Sequence, residues 1–231
     1  MRALITGANR GIGLELTRQL LRRGEQVFAA CRNPATATSL HDLSAETRSR
    51  VSIVQLDVSD PASIDASFET VGGLTDALDL LINNAGIQLA DDHLGTLKMD
   101  EMLRTFAVNS IGPLLVCQRY LDLLQAGASP RIVNISSRRG SLAWYQDRRF
   151  YTYSASKAAL NMMTKRLAVE TKAMGIIVVV MHPGWVMTDM GGPGAQITPD
   201  ESVGGMLRVI DSLTIGDNGR FLGWDGKEMP W

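Results

Sequence analysis

The sequence predicts an α/β protein built on a parallel β-sheet, and two observations carry this prediction. Short β-branched runs alternate along the chain with longer amphipathic segments. Such alternation implies right-handed crossovers between strands and helices on both faces of the sheet. One run, "IIVVVMH" at residues 176–182, is almost continuously apolar, which is typical of a parallel strand buried on both faces.

Seven segments are predicted as strands: residues 2–6, 26–31, 51–58, 79–86, 131–137, 176–182 and 219–224. Amphipathic helices are predicted between them, among others at residues 11–24, 100–127 and 154–175. No internal repeat or linker separates these elements, so we expect one domain over residues 1–231. Glycines and prolines near residues 188–200 predict a loop, which we place beside the substrate.

Composition and charge exclude several classes of function. Hydrophobic residues make up 45% of the 231 residues and charged residues 20%, which is ordinary for a globular protein. A net charge of −1 argues against a nucleic-acid partner. The apolar runs are too short to span a bilayer, and no secretory leader is recognisable, so we expect no membrane association. Cys31 and Cys117 lie in apolar runs and suggest no disulfide, which favours the cytoplasm.

A glycine-rich turn joins the first predicted strand to the first predicted helix. Gly7, Gly11 and Gly13 allow a tight turn and a close approach of the backbone to a diphosphate. The following helix N-terminus offers free N–H donors and the positive end of its dipole. The turn therefore indicates a dinucleotide site, with a purely structural turn as the alternative.

The end of the second strand indicates which dinucleotide binds. An NAD site usually carries an acidic side chain here, which bonds the ribose. This chain has Cys31 followed by Arg32, and an arginine suits a 2′-phosphate through charge-assisted bonds. Arg10, inside the glycine turn, could reach the same phosphate. We therefore expect NADP(H) rather than NAD(H), unless both arginines are simply solvated.

Six motifs occur in order along the chain: "TGANRGIG" (6–13), "NNAG" (83–86), "VNS" (108–110), "IVNISS" (132–137), "YSASK" (153–157) and "HPGWVMTDM" (182–190). With these motifs the chain resembles a short-chain dehydrogenase/reductase over nearly its whole length. Its C-terminal part further resembles the C-factor-like and carbonyl-reductase-like subgroup. The resemblance implies a Rossmann-type, doubly wound domain that binds a nicotinamide cofactor at the carboxyl ends of its strands.

Tyr153 and Lys157 form the centre of the predicted active site. They are four residues apart on a predicted helix, so their side chains share one face. A free tyrosine has a pKa of about 10, and a nearby ammonium should draw it toward neutrality. The resemblance implies that Tyr153 is the acid/base, while Lys157 supports it electrostatically and holds the nicotinamide ribose.

Ser137 and Asn109 complete the predicted catalytic residues. The family's serine stands three residues before a glycine, which matches Ser137 rather than Ser136. The resemblance implies that the hydroxyl of this serine holds the substrate oxygen. Pro113 cannot donate to the Asn109 carbonyl, so the helix should kink there. The resemblance implies that this carbonyl binds a water that relays protons; a kink without chemistry is the alternative.

The resemblance also implies the cofactor site as a whole, and no metal. Its residues are Gly7, Asn9, Arg10, Gly11, Ile12, Gly13, Arg32, Asp57, Val58, Asn83, Ala85, Gly86, Tyr153, Lys157, Pro183, Gly184, Val186 and Thr188. Asp57 could alternatively serve only in the turn that begins the next helix.

Taken together, these features predict an NADP(H)-dependent oxidoreductase acting on a small carbonyl or alcohol, and possibly a homodimer. An alternative is an NADP(H)-binding signalling or regulatory protein with little turnover. The interval between Ser137 and Tyr153 is a few residues longer than is usual in the family. Arg148 and Arg149 in this interval could favour an anionic substrate, or could simply be solvated.

Overall fold

The computed structural model describes residues 1–46, 50–89, 92–144 and 149–231, and all seven predicted strands are present in it. They are β1 (Arg2–Thr6), β2 (Gln26–Cys31), β3 (Val51–Gln55), β4 (Leu80–Asn83), β5 (Arg131–Ile135), β6 (Ile177–His182) and β7 (Phe221–Gly223). Strands β3, β4 and β5 end earlier than predicted. The polar and glycine residues that follow them form the rim of the sheet, where the candidate site lies.

The seven strands form one sheet in the order β3-β2-β1-β4-β5-β6-β7, and every pair is parallel. The chain therefore winds outward in both directions from β1, which confirms the predicted doubly wound Rossmann-type fold. The direction reverses between β1 and β4. In open parallel sheets, ligands bind in the crevice at the carboxyl ends of the strands beside such a reversal.

Eight α-helices cover the described sheet: α1 (Gly11–Arg22), α2 (Thr38–Glu46), α3 (Pro61–Gly72), α4 (Met99–Phe106), α5 (Gly112–Arg119), α6 (Leu121–Gln125), α7 (Tyr151–Thr171) and α8 (Pro199–Ser212). Apolar residues of α1, α2 and α8 form a core on one face of the sheet. Those of α3, α5, α6 and α7 form a second core on the other face. Within the described residues, no helix has the length and apolarity to span a membrane.

The helix predicted over residues 100–127 is divided into α4, α5 and α6. The disturbance that Pro113 predicts takes the form of a π-helical turn, Ala107–Ile111, between α4 and α5. This turn buries Asn109 and Ser110 completely. Gly112 follows it, and a Cβ there would lie 2.3 Å from the Val58 carbonyl oxygen, so only glycine allows this close packing against the end of β3.

Candidate active site

Tyr153, Lys157 and Ser137 meet at the carboxyl end of β5. The Ser137 hydroxyl is close enough to the Tyr153 phenol to lower its pKa. The Lys157 Nζ donates to the Ile135 carbonyl oxygen at 2.8 Å and lies 5.9 Å from the centroid of the Tyr153 ring. The structure thus brings together three of the four residues predicted to be catalytic, one from β5's end and two from α7.

The electrostatics of this group differ from the prediction in one respect. Burial raises the pKa of Tyr153, and this outweighs the lowering effects of the Ser137 hydrogen bond and the charge of Arg139. The expected lowering by Lys157 is therefore not the net result. Burial also lowers the pKa of Lys157 to about 8, because removing the ammonium from water disfavours its charged form.

The two adjacent serines have the different surroundings that the sequence suggests. The buried Ser136 hydroxyl donates to Asn161 Oδ1 at 2.6 Å, which makes it a packing residue. Ser137 begins a short 3-10 turn, Arg138–Gly140, and its hydroxyl accepts from the Arg139 N–H at 3.2 Å. Sequence reasoning missed Arg139, whose charge acts on the Tyr153 phenol.

Asn109, the fourth predicted catalytic residue, holds two segments together through its side chain. Its amide exchanges two 2.8 Å hydrogen bonds with the backbone of Ile87, just after β4, and donates to Ser156 of α7 at 3.0 Å. Ser110 adds a bond of 2.8 Å to the Ser156 carbonyl. These contacts place Gly86 beside Lys157, where a Cβ would lie 3.6 Å from the Nζ. A water held by the Asn109 carbonyl stays a prediction.

The glycine turn after β1 has the geometry of a phosphate cradle. Gly7 and Gly11 have φ of 65° and 54°, in the left-handed region that favours glycine. A Cβ on Gly13 would lie 2.2 Å from the Gly7 carbonyl oxygen. Any residue other than glycine at position 13 would therefore keep α1 from packing this closely against the turn. No described side chain caps the start of α1. Its first N–H groups are therefore suited to an anionic diphosphate.

Asn84 braces this turn, although sequence reasoning did not select it. Its side-chain nitrogen donates to the carbonyls of Thr6 and Gly7 at 3.0 and 3.1 Å. The Thr6 hydroxyl in turn accepts from the N–H groups of Asn84 and Ala85. The "NNAG" segment thus ties the end of β4 to the end of β1, across the point where the strand order reverses.

The two arginines predicted to bind the 2′-phosphate of the cofactor have different surroundings. Arg10 Nη1 pairs with Asp189 Oδ2 at 3.2 Å, and both side chains are largely exposed. This pair joins the glycine turn to the segment after β6. Arg32 is exposed at the end of β2. A cofactor phosphate that used Arg10 would therefore compete with Asp189, whereas Arg32 has no ion pair within the described residues.

Three further predicted cofactor residues have side chains engaged elsewhere. Asn83 is buried, and its amide donates to Asn134 Oδ1 at 2.8 Å, which links β4 to β5 in the core. The Asp57 carboxylate accepts from the N–H and hydroxyl of Ser59. Val58 packs in the core beneath α3 and α5. Asp57 thus makes the contacts expected if it serves only in the turn that begins α3. These three residues could contact a cofactor only through their backbone atoms or through the parts of their side chains that are not already engaged.

The segment after β6 lies over the glycine turn. Gly184 has a φ of 88°, and a Cβ there would lie 2.4 Å from Ile197. Val186 bridges to Ile197, and the Pro183 carbonyl accepts from Ser202 at 2.5 Å. A Cβ on Gly11 would lie 3.3 Å from Thr188 Cγ2. The predicted nicotinamide-supporting segment therefore closes one side of the crevice above the phosphate cradle.

Asp92 is a buried carboxylate that sequence reasoning did not select. Its Oδ2 accepts from the Thr152 N–H at 3.0 Å and also from the Thr152 hydroxyl. Its carbonyl accepts from the Phe150 N–H at 2.8 Å. Phe150 precedes α7 in the left-handed conformation, with φ of 63°. Asp92 therefore caps the start of α7 one residue before Tyr153.

We expect Asp92→Ala to lower both stability and activity. Loss of a helix cap costs about 1 kcal/mol of unfolding free energy. Because the cap fixes the turn that carries Tyr153, turnover should fall further, by about tenfold. Asp60→Ala is the matched control, since Asp60 caps α3 through Ala62 at 3.0 Å. Chemical denaturation and steady-state kinetics on both variants test this, and equal activity of the two would contradict it.

Of the two arginines considered for substrate selection, Arg148 lies outside the described residues. Arg149 is exposed and comes two residues before α7. It lines a cavity between α7 and the segment that follows Ser137. The 188–200 loop is present as turns that end where α8 begins, at Pro199.

Comparisons with known proteins agree with this geometry. The family model described as short chain dehydrogenase matches residues 1–196. The protein named C-signal, from Myxococcus xanthus, is 45% identical over 157 residues, or 68% of this chain and 95% of that protein. An NADPH-bound carbonyl reductase from chicken fatty liver superimposes with a TM-score of 0.94 and 41% identity, covering 100% of this chain and 98% of that one. The carbonyl reductase Sniffer of D. melanogaster superimposes with a TM-score of 0.95 and 34% identity, covering 100% and 99%.

Proposed function

Because the chain belongs to the short-chain dehydrogenase family, we propose that it is an NADP(H)-dependent oxidoreductase of carbonyl or alcohol groups. The observation that carries this proposal is that Ser137, Tyr153 and Lys157 lie close together at the edge of the crevice. The tight glycine turn and the uncapped start of α1 fit a dinucleotide. The NADPH-bound carbonyl reductase that the chain resembles supports the choice of cofactor and of reaction.

The chain's own groups would handle the proton and the developing charge. When bound, the cofactor supplies or accepts the hydride. Ser137 donates a hydrogen bond to the substrate oxygen and so stabilises the charge that develops there. In reduction Tyr153 gives its phenolic proton to that oxygen, and in oxidation it takes the proton back. The Lys157 ammonium, held by the Ile135 carbonyl, favours the phenolate that forms.

The cofactor preference depends on Arg32 in this proposal. A charge-assisted bond is worth about 1.5–3 kcal/mol, so Arg32→Asp should raise the KM for NADPH by about tenfold to a hundredfold. The KM for NADH should change little, because it has no 2′-phosphate. Arg22→Asp, an exposed position on α1, carries the same change of charge and serves as the control. An unchanged KM for NADPH in Arg32→Asp, with both cofactors used equally well, would mean that Arg32 is only a solvated residue.

A second candidate is an NADP(H)-binding signalling or regulatory protein with little turnover, which the likeness to the protein named C-signal favours. A panel of aldehydes, ketones and quinones, assayed in parallel with NADPH and NADH, distinguishes the two. Consumption of NADPH with formation of the alcohol supports the oxidoreductase. Tight NADPH binding without consumption across the whole panel supports the second candidate.

We further propose that the protein works in the cytoplasm as a homodimer. Helix α4, the π-helical turn that contains Asn109, and helix α7 carry exposed apolar side chains, among them Leu103, Ile111 and Met162, which a second copy would cover. Light scattering at several concentrations tests the oligomeric state, and a monomer at every concentration would contradict this proposal.

A further inference from the structure

Asn161 lies on α7 one turn beyond Lys157, which itself lies one turn beyond Tyr153. Residues four apart on a helix point to the same side, so the three side chains follow one another along one face of α7. Asn161 is only 3% exposed, and no step of the proposed reaction uses it. Its amide contacts the segment after β5 that contains Ser137.

This amide makes two hydrogen bonds to the segment. Its Oδ1 accepts from the Ser136 hydroxyl at 2.6 Å, and its Nδ2 donates to the Gly140 carbonyl at 3.0 Å. Ser136 and Gly140 are both buried, so bulk water cannot replace either bond. One side chain of α7 therefore holds the residue before Ser137 and the third residue after it.

Gly140 allows the turn after Ser137 to pack directly on α7. A Cβ at this position would lie 2.8 Å from the backbone carbonyl carbon of Lys157 and 3.0 Å from Asn161 Nδ2. A larger residue would push the turn away from the helix, so glycine brings its carbonyl within reach of the Asn161 amide. The Gly140 N–H in turn donates to the Ser137 carbonyl at 2.9 Å. Holding Gly140 therefore also holds Ser137.

The position of the Ser137 hydroxyl matters for the proposed reaction. It accepts from the Arg139 N–H at 3.2 Å, and it would donate its own proton to the substrate oxygen. The Tyr153 phenol must reach the same oxygen, so the two hydroxyls have to be held at a fixed separation. A displacement of about 1 Å can lower a rate by about a hundredfold.

We propose that Asn161 is a positioning residue of the active site, which fixes Ser137 relative to Tyr153 by holding both flanks of the serine. Its effect on turnover rests on the proposed function, because it is exerted on a reaction at that serine and that tyrosine. Its effect on the order of the turn after β5 does not depend on turnover.

Steady-state kinetics of Asn161→Ala test this role. We expect kcat for carbonyl reduction to fall by about tenfold to a hundredfold, with the KM for NADPH within about twofold of the wild type. Asn218→Ala is the matched control, because the Asn218 amide also joins α7 to the sheet. It donates to the Ala168 carbonyl at 2.7 Å and accepts from the Val178 N–H at 2.8 Å, near the opposite end of α7. Wild-type kcat in Asn161→Ala, or an equal fall in Asn218→Ala, would overturn the proposal.

A double-mutant cycle shows whether Asn161 acts through Ser137. In a Ser137→Ala background the hydroxyl to be positioned is already absent, so adding Asn161→Ala should lower kcat by less than about threefold. Retention of the full effect in that background would overturn the proposal. Ser136→Ala removes one of the two bonds and should lower kcat by about threefold to tenfold. It provides the same test if Asn161→Ala does not fold.

Hydrogen exchange distinguishes a failure of this proposal from a failure of the proposed function. The N–H groups of Gly140 and Ser141 are bonded within the turn. Peptides that cover residues 137–141 should exchange about tenfold faster in Asn161→Ala or Ser136→Ala, and at the wild-type rate in Asn218→Ala. Unchanged exchange in the first two variants would overturn the proposal. If exchange rises but the wild type reduces no carbonyl with NADPH, the proposed function fails while the ordering of the turn by Asn161 stands.

Discussion

Tyr153→Phe is expected to reduce carbonyl turnover by about a thousandfold, because a positioned general acid contributes about 10²–10⁴ to the rate. Phenylalanine keeps the ring in its half-buried position but has no proton to give to the substrate oxygen. NADPH affinity should stay close to that of the wild type, since the phosphate cradle lies on another element. Steady-state kinetics and a fluorescence titration of NADPH measure the two quantities.

Tyr120→Phe is the matched control for this experiment. The Tyr120 hydroxyl also makes a buried hydrogen bond, to Ser67 at 2.9 Å, but it lies in the core beneath α3 and α5. Its loss should cost about 1 kcal/mol of unfolding free energy with no loss of turnover. If Tyr153→Phe were no more harmful to turnover than Tyr120→Phe, Tyr153 would not be the proton donor.

Lys157→Met is expected to lower turnover by about a hundredfold or more, through loss of the charge that supports the Tyr153 phenolate. The wild-type rate should also depend on pH in a defined way. The pKa of Lys157 is lowered to about 8, so the ammonium is lost as the pH rises through that value. We therefore expect kcat/KM for reduction to fall above about pH 8. A flat profile across this range would contradict the role of the ammonium.

The same pKa predicts a change in stability with pH. In the unfolded chain lysine keeps its proton up to about pH 10.4, whereas folded Lys157 loses it near 8. Between these values the unfolded state binds more protons, so the free energy of unfolding rises with pH. Relative to Lys157→Met, the wild type should gain about 2 kcal/mol between about pH 7 and about pH 9.5. Denaturant titrations at several pH values measure this gain, and its absence would mean that Lys157 is not desolvated.

The fold was predictable because each element has a strong local signal. The strands are β-branched runs, and the glycine turn stands between the first strand and the first helix, which fixes a parallel arrangement. The family was recognisable from six motifs in order and its carbonyl-reductase-like subgroup from the C-terminal part of the chain, and the comparisons confirm both. The π-helical turn before Pro113 was not predictable in detail. A proline predicts only that the α-helical hydrogen bond to the carbonyl four residues earlier is lost, not which backbone geometry replaces it.

The contacts that orient the candidate site were harder to predict. Tyr153, Lys157 and Ser137 are recognisable because their spacing is short or follows a motif. Asp92 is 60 residues from its partner Thr152, and no local pattern connects a loop carboxylate with a distant helix start. Arg139 looked like one of several loop arginines until folding placed its charge near the Tyr153 phenol. Such pairings depend on tertiary packing rather than on the local sequence.

The central claim is that Tyr153 passes a proton to a carbonyl oxygen while NADPH is consumed. The most direct test is to load the protein with NADPH, mix it rapidly with benzaldehyde and follow the nicotinamide absorbance of the wild type and Tyr153→Phe. We expect both proteins to bind NADPH equally and only the wild type to consume it quickly, with one benzyl alcohol formed per NADPH. Equal rates in both proteins, or NADPH that stays bound and unconsumed in the wild type across the carbonyl panel, would contradict this account.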